Sequence, residues 1–184
     1  ETHKAVLKLA KKNHAIISFD PNIRLPLWSS AEACQETVRE FLPDADLVKL
    51  SDEECFFVTG KHSILDAADW LFEQGCKMVL YSMGKEGAMI LTPHFSSHVE
   101  NPEVRVKDTT GAGDAIIGAY LYCLAKNHIT VSQLADCLPE QVQEWLTFAV
   151  YYANYSITKS GAIASYPDYT TFVKWMQEKR KKAH

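Results

Sequence analysis

Apolar positions along the chain follow two rhythms. Val6, Leu7, Leu9 and Ala10 lie on one side of a segment whose other side carries Lys4, Lys8, Lys11 and Lys12, which predicts an amphipathic helix over 2–13. The run Ala15-Ile16-Ile17-Ser18-Phe19 lacks that alternation and ends in Asp20-Pro21. It reads as a buried parallel strand closed by a proline that cannot continue a central strand. Residues 46–50 and 77–81 read as strands of the same kind. Between them, Ser29 or Ser30 caps a helix to 41. Ser51 with Glu54 three residues later has the capping-box pattern, and an amphipathic helix over 64–72 stops at Gly75. Residues 84–87 turn tightly and 88–91 return as a strand, a hairpin with 77–81. Short alternating strands follow at 95–99 and 104–106. The apolar run 115–125 is long enough for a buried helix. A short helical stretch opens at Thr130 or Ser132. Pro139 suits the first turn of a longer helix through 155, where Trp145, Phe148, Ala149, Tyr152 and Ala153 read as core. Strands alternating with helices define an α/β fold, a doubly wound and mainly parallel sheet with helices on both faces. No repeat, linker or low-complexity stretch divides residues 1–184, so one domain is expected.

Just before the buried helix stands Asp108-Thr109-Thr110-Gly111-Ala112-Gly113-Asp114. Gly111 and Gly113 flank Ala112 and permit a tight turn. Such a turn opening a helix presents unpaired amides at the positive end of the helix dipole, an anion site suited to phosphate. A carboxylate at the mouth of that site, Asp114, is repelled by a bound anion, and proton abstraction from an attacking hydroxyl gives it a chemical purpose. An ordinary loop with Asp114 as N-cap accounts for the same residues. Asn22 and Arg24 follow the first strand at the sheet edge where open α/β folds bind ligands. Arg24 suits a phosphoryl group in a transition state, or a surface salt bridge.

Composition narrows the classes. Hydrophobic content of 47% and 23% charged residues are those of a globular chain. A net charge of −4 argues against a general nucleic-acid binder. The basic group Lys174, Lys179, Arg180, Lys181 and Lys182 suits a solvated helix C-terminus. Five cysteines without a Cys-x-x-Cys pair read as reduced residues of a cytoplasmic protein. The histidines lack zinc-ligand spacing. No apolar run reaches the roughly 20 residues of a membrane span.

Four segments share a resemblance: 108–114; Ser18-Phe19-Asp20-Pro21-Asn22-Ile23-Arg24-Leu25-Pro26-Leu27-Trp28; Leu47-Val48-Lys49-Leu50-Ser51-Asp52-Glu53-Glu54; and Tyr81-Ser82-Met83-Gly84-Lys85-Glu86-Gly87. Taken in order they resemble the ribokinase-like (PfkB) carbohydrate kinases, and 18–28 resembles their fructokinase branch. The resemblance implies ATP-dependent phosphorylation of a sugar, with fructose to fructose 6-phosphate the first expectation and 2-keto-3-deoxygluconate, ribose or a nucleoside as alternative acceptors. It makes Asp114 the base and gives the anion hole to the amides around Gly111, Ala112 and Gly113. Asn22 and Arg24 are placed by the sugar and transferred phosphate. Lys49, Ser82, Gly84, Gly87, Thr109, Gly111, Gly113 and Asn154 are placed along the nucleotide. Glu54 is implied to organise Mg²⁺ through water, with Ser51 where the family carries asparagine. Backbone oxygens at Asp108, Thr110, Ser156, Gly161 and Ser165 are implied to hold K⁺. Family members are longer, and this chain begins at Glu1 without Met. The expectation is therefore a C-terminal nucleotide-binding portion without the N-terminal sugar-binding and lid region. Such a portion would be inactive alone, or a non-catalytic nucleotide-binding fragment, with any homodimer formed by the full-length protein.

Overall fold

The computed structural model describes residues 2–182, without the side chain of Lys182. Helix α1 (Thr2–Lys12) leads into strand β1 (Ser18–Phe19) and helix α2 (Ala31–Phe41). Strand β2 (Leu47–Ser51), helices α3 (Asp52–Thr59) and α4 (Ile64–Glu73), and strands β3 (Met78–Ser82), β4 (Ala88–Leu91) and β5 (Ser96–Val99) follow. Helix α5 (Ala112–Lys126), a 3₁₀ turn at Val131–Asp136, and helices α6 (Pro139–Ser156) and α7 (Tyr169–Lys182) complete the chain.

The five strands form one sheet in the order β1-β2-β3-β4-β5. Strands β1, β2 and β3 run parallel, while β4 and β5 are antiparallel, so the sheet is mixed and the 84–87 hairpin forms as expected. Alternation along β2 and β3 divides the core. Leu47, Met78 and Leu80 face one way, onto α5 and α6 through Ile116, Tyr120, Leu146 and Ala149. Val48, Leu50 and Val79 face the other way, onto α2, α3 and α4 through Cys34, Val38, Val58 and Leu71. Both faces are covered, which is why these strands read as unbroken apolar runs.

The caps follow the sequence. Ser30 accepts from the Ala33 amide, Ser51 and Glu54 form the capping box, Gly60 ends α3 in the left-handed region, and Pro139 opens α6.

Two expectations are corrected. Residues 104–106 form no strand, because the Lys107 and Asp108 amides donate to the Ile157 carbonyl, 2.8 and 3.2 Å, at the end of α6. Strand β1 is shorter than 15–19 and only half-buried. Before Ser18 the Asp46 side chain takes the place of a ladder partner, accepting from the Ile17 amide at 3.0 Å. Helix α1 is amphipathic but contributes no buried residue. Its Lys4 and Lys11 pair with Glu40 and Asp44. Of the C-terminal basic residues, Lys174, Arg180 and Lys181 are exposed, with Arg180 over the Tyr151 ring, while Lys179 is half-buried over Trp175; the Lys182 side chain lies outside the described residues.

Leu80 is fully buried where β3 meets α5 and α6. Leu80→Ala should lower the free energy of unfolding by about 2–5 kcal/mol in urea titration. A loss under about 1 kcal/mol would mean that this interface is not close-packed.

Candidate active site

The turn at 108–114 is laid out around Gly111, the N-cap of α5, at φ 79°. Glycine is required there twice over. The backbone is left-handed, and a Cβ would stand 2.9 Å from both the Ala162 Cβ and the Tyr166 hydroxyl. Asp114 is therefore the third residue of α5 rather than its N-cap, and its side chain is exposed. The Ala112 amide donates to the Thr109 carbonyl at 3.1 Å and the Ala115 amide to the Gly111 carbonyl at 2.8 Å. The amides of Gly113 and Asp114 have no hydrogen-bond partner among the described residues. They are free donors at the positive end of a 15-residue helix, and the Gly111 amide before them also has no acceptor among the described residues.

Asp108 fastens this turn to the loop after α6. Its carboxylate accepts from the Thr110 amide and from the Gly161 amide, each at 2.9 Å. Those two amides hold its carboxyl down at about 2. Gly161 sits at φ 88°. Of the other residues implied for a monovalent cation, Ser156 and Ser165 are buried, and their hydroxyls donate to Ala153 and Ala162 carbonyls. Asp108, Thr110 and Gly161 are thus brought together by direct bonds, while the two serine hydroxyls are engaged locally.

Strand alternation turns Lys49 toward α5, on the face that Leu47 shares. Lys49 is 6% exposed. Its ammonium lies 3.3 Å from Asp20 Oδ2 and 3.9 Å from Glu54 Oε2. A Cβ on Gly113 would stand 3.2 Å from Nζ, so the absent side chain leaves the ammonium its place beside the first turn of α5. Burial raises the Asp20 carboxyl, and the Lys49 charge opposes that rise. Glu54 is engaged on three sides, by the Ser51 amide and hydroxyl at 3.0 Å and by the Ile23 amide at 2.8 Å. It pins the 20–24 loop to the start of α3. Within that loop Asn22 adopts φ 43°, an uncommon conformation for a residue with a side chain. Asn22 and Arg24 are exposed, and the Arg24 guanidinium donates to its neighbour's carbonyl at Ile23. Among the described residues, neither makes a hydrogen bond or ion pair with the 108–114 turn.

Of the eight residues expected along the nucleotide, three share one cleft, while Lys49, Thr109, Gly111 and Gly113 lie outside its lining and Ser82 lies beside it. Gly84, Gly87 and Asn154 line a cleft of about 90 Å³ with Asn101, Ala112 and Ile116. Gly87, at φ 98°, leaves no space for a side chain, since a Cβ would stand 2.0 Å from the Val99 carbonyl oxygen. Ser82 lies at the end of β3 beside this turn, its hydroxyl 3.4 Å from the Leu50 carbonyl. Asn101, which the sequence did not single out, joins the cleft's walls. It donates to the Gly84 carbonyl at 2.8 Å and accepts from the buried Asn154 amide at 2.7 Å. Asp20 was likewise read only as the start of a loop. The side chains they meet, Lys49 for Asp20 and Asn154 for Asn101, lie on other elements.

A helix N-terminus with free amides, a buried lysine beside it, an exposed carboxylate in its first turn and an adjoining cleft thus lie together at one end of α5. The chain belongs to the pfkB family of carbohydrate kinases, whose model matches residues 1–169. Among its relatives, Fructokinase-2 of Solanum habrochaites is 34% identical over 90% of this chain and 49% of its own length. Probable fructokinase-5 of Arabidopsis thaliana is 36% identical over 97% of this chain and 54% of its own length. The crystal structure of a fructokinase with bound ATP from Xylella fastidiosa superposes with a TM-score of 0.87 at 27% identity, over 95% of this chain and 55% of that one. A fructokinase from Vibrio cholerae O395, in a fructose, ADP and calcium ion bound form, gives 0.82 at 29% identity, over 95% and 55%. The chain spans about half the length of these relatives.

A carboxyl held down in the folded state stabilises it above the unfolded value, and that contribution is lost as pH falls through the folded one. From its ordinary value of 3.8 and its folded value of about 2, the Asp108 clamp is complete at neutral pH and is lost only between about pH 4 and about pH 2. The Gly161 amide resonance should therefore titrate with a midpoint near 2. A midpoint near 4 would show that the carboxylate does not hold these amides.

Proposed function

We propose that this chain carries the nucleotide site and catalytic carboxylate of an ATP-dependent sugar kinase. The acceptor is fructose and the product fructose 6-phosphate. The observation that carries this reading is the pair of unpartnered amides at Gly113 and Asp114, with the buried Lys49 ammonium beside Gly113 and Asp114 exposed at the same helix end. ATP lies from the Gly84–Asn154 cleft toward this helix N-terminus, with Lys49, Ser82, Gly87 and Thr109 along its path. Asp114 accepts the proton of the sugar hydroxyl as that oxygen attacks the γ-phosphorus and the bond to the ADP oxygen breaks. The free amides and Lys49 stabilise the charge on the transferring group. Asn22 and Arg24 flank the acceptor from the 20–24 loop, held in place through Glu54 and Asp20. Ala112 contributes by shaping the turn, since its own amide is engaged.

The oxygen donors suit hard cations. Glu54, although its oxygens already accept from Ser51 and Ile23, would hold Mg²⁺ through water, and the ion would neutralise phosphate charge. Backbone oxygens at Asp108, Thr110, Ser156, Gly161 and Ser165 would hold K⁺, in support of which Asp108, Thr110 and Gly161 are joined by direct bonds. Fructose is favoured by the 18–28 segment and by the fructokinase relatives. The five unpaired buried cysteines support a reducing compartment such as the cytoplasm. Turnover is assigned to a protein of the relatives' length, and the 184 residues alone to nucleotide binding without catalysis.

Calorimetric titration of this chain with ATP should show binding that strengthens with Mg²⁺ and K⁺. Absence of binding by a folded chain overturns the nucleotide site, and fructose-dependent ADP release by this chain alone overturns its inactivity. In the complete kinase, Asp114→Ala should cut turnover at least about 10²-fold while ATP affinity holds. Near-normal turnover would remove Asp114 from the role of base.

A further inference from the structure

Tyr166 stands at the crossing of the two loops that build the anion site. Its hydroxyl donates to the Gly111 carbonyl at 2.9 Å. That carbonyl also accepts the Ala115 amide, so the tyrosine bonds to the oxygen that closes the first turn of α5. Asp108 reaches the opposite way, from the 108–114 turn to the Gly161 amide. The two segments are therefore laced reciprocally. The Tyr166 ring is half-buried, tilted against Tyr152 with centroids 6.0 Å apart. Tyr152 in turn donates to the Pro167 carbonyl at 3.4 Å, next to Tyr166 itself. Tyr166 also lines, with Asp114, Gly118, Tyr122 and Phe172, a hollow of about 300 Å³ on the outer side of α5. Burial and the nearby Asp114 charge both raise its hydroxyl's pKa, so it remains a donor at neutral pH.

We infer that Tyr166 is a positioning residue for the proposed phosphate site: by bonding the Gly111 carbonyl it fixes the N-cap peptide of α5 and thereby the direction of the Gly113 and Asp114 amides. The inference rests on the nucleotide site proposed above, but its first readout does not. A glycine at the N-cap brings no side chain of its own to steady the turn. The tyrosine supplies that restraint from 55 residues away. The hydroxyl makes no claim on the substrate and acts only through Gly111.

The test is Tyr166→Phe in this chain, which removes one oxygen and leaves the ring packing in place. Amide exchange at Ala112 and Ala115, followed by NMR, should quicken about 2- to 10-fold, the loss of one hydrogen bond. The ATP dissociation constant should rise by a similar factor while that of adenosine, which has no phosphate, stays the same. Unchanged exchange at both amides overturns the inference. So does equal weakening of ATP and adenosine, which would make Tyr166 a general support of the pocket. Quickened exchange in a chain whose parent binds no ATP leaves the lock on Gly111 standing and overturns the nucleotide reading alone.

Discussion

The left-handed turn at Gly111 is the constraint on which the site depends. It sets the axis of α5, and with it the direction of the two amides that no other group satisfies. The turn is crowded by Ala162 and Tyr166 to the point that only a missing side chain fits. A flexible residue is thus made rigid by its surroundings, which lowers the reorganisation needed when an anion arrives. The restraint comes from both sides, Asp108 holding the residues before the turn and Tyr166 the carbonyl at its apex.

The buried Lys49 is a second organising choice. An ammonium withdrawn from water between Asp20 and Glu54 adds little net stability, because desolvation offsets much of the attraction. Its placement makes sense as specification. Asp20 holds both the lysine and the Asn22 amide, and Glu54 holds both the α3 cap and the Ile23 amide. The loop carrying Asn22 and Arg24 is therefore registered against the same charge that faces the helix N-terminus.

Much of this was legible in the sequence, for identifiable reasons. The helices with a polar start and an apolar face, such as 31–41 and 64–73, announce themselves through local chemistry. So does the glycine turn before the long run of α5. The strand expected at 104–106 failed because alternation says how a segment would pack, not whether a partner strand lies beside it. Here the neighbour is the end of α6. Asn101, Asp20 and Tyr166 escaped notice for a related reason. Each gains its meaning from a partner 17 to 55 residues distant, and spacing along the chain carries no trace of such pairings.

The lacing of distant segments has a kinetic side. The bonds from Asp108 to Gly161, Asn154 to Asn101 and Tyr166 to Gly111 each close a loop of more than fifty residues. Closing such loops is favourable only after the sheet and its helices have brought the ends together. The site therefore relies on the sheet and its helices for its geometry, while they do not rely on it. It can come apart through a handful of half-exposed bonds while β2 and β3 remain paired, as a unit of lower local stability than the core that carries it.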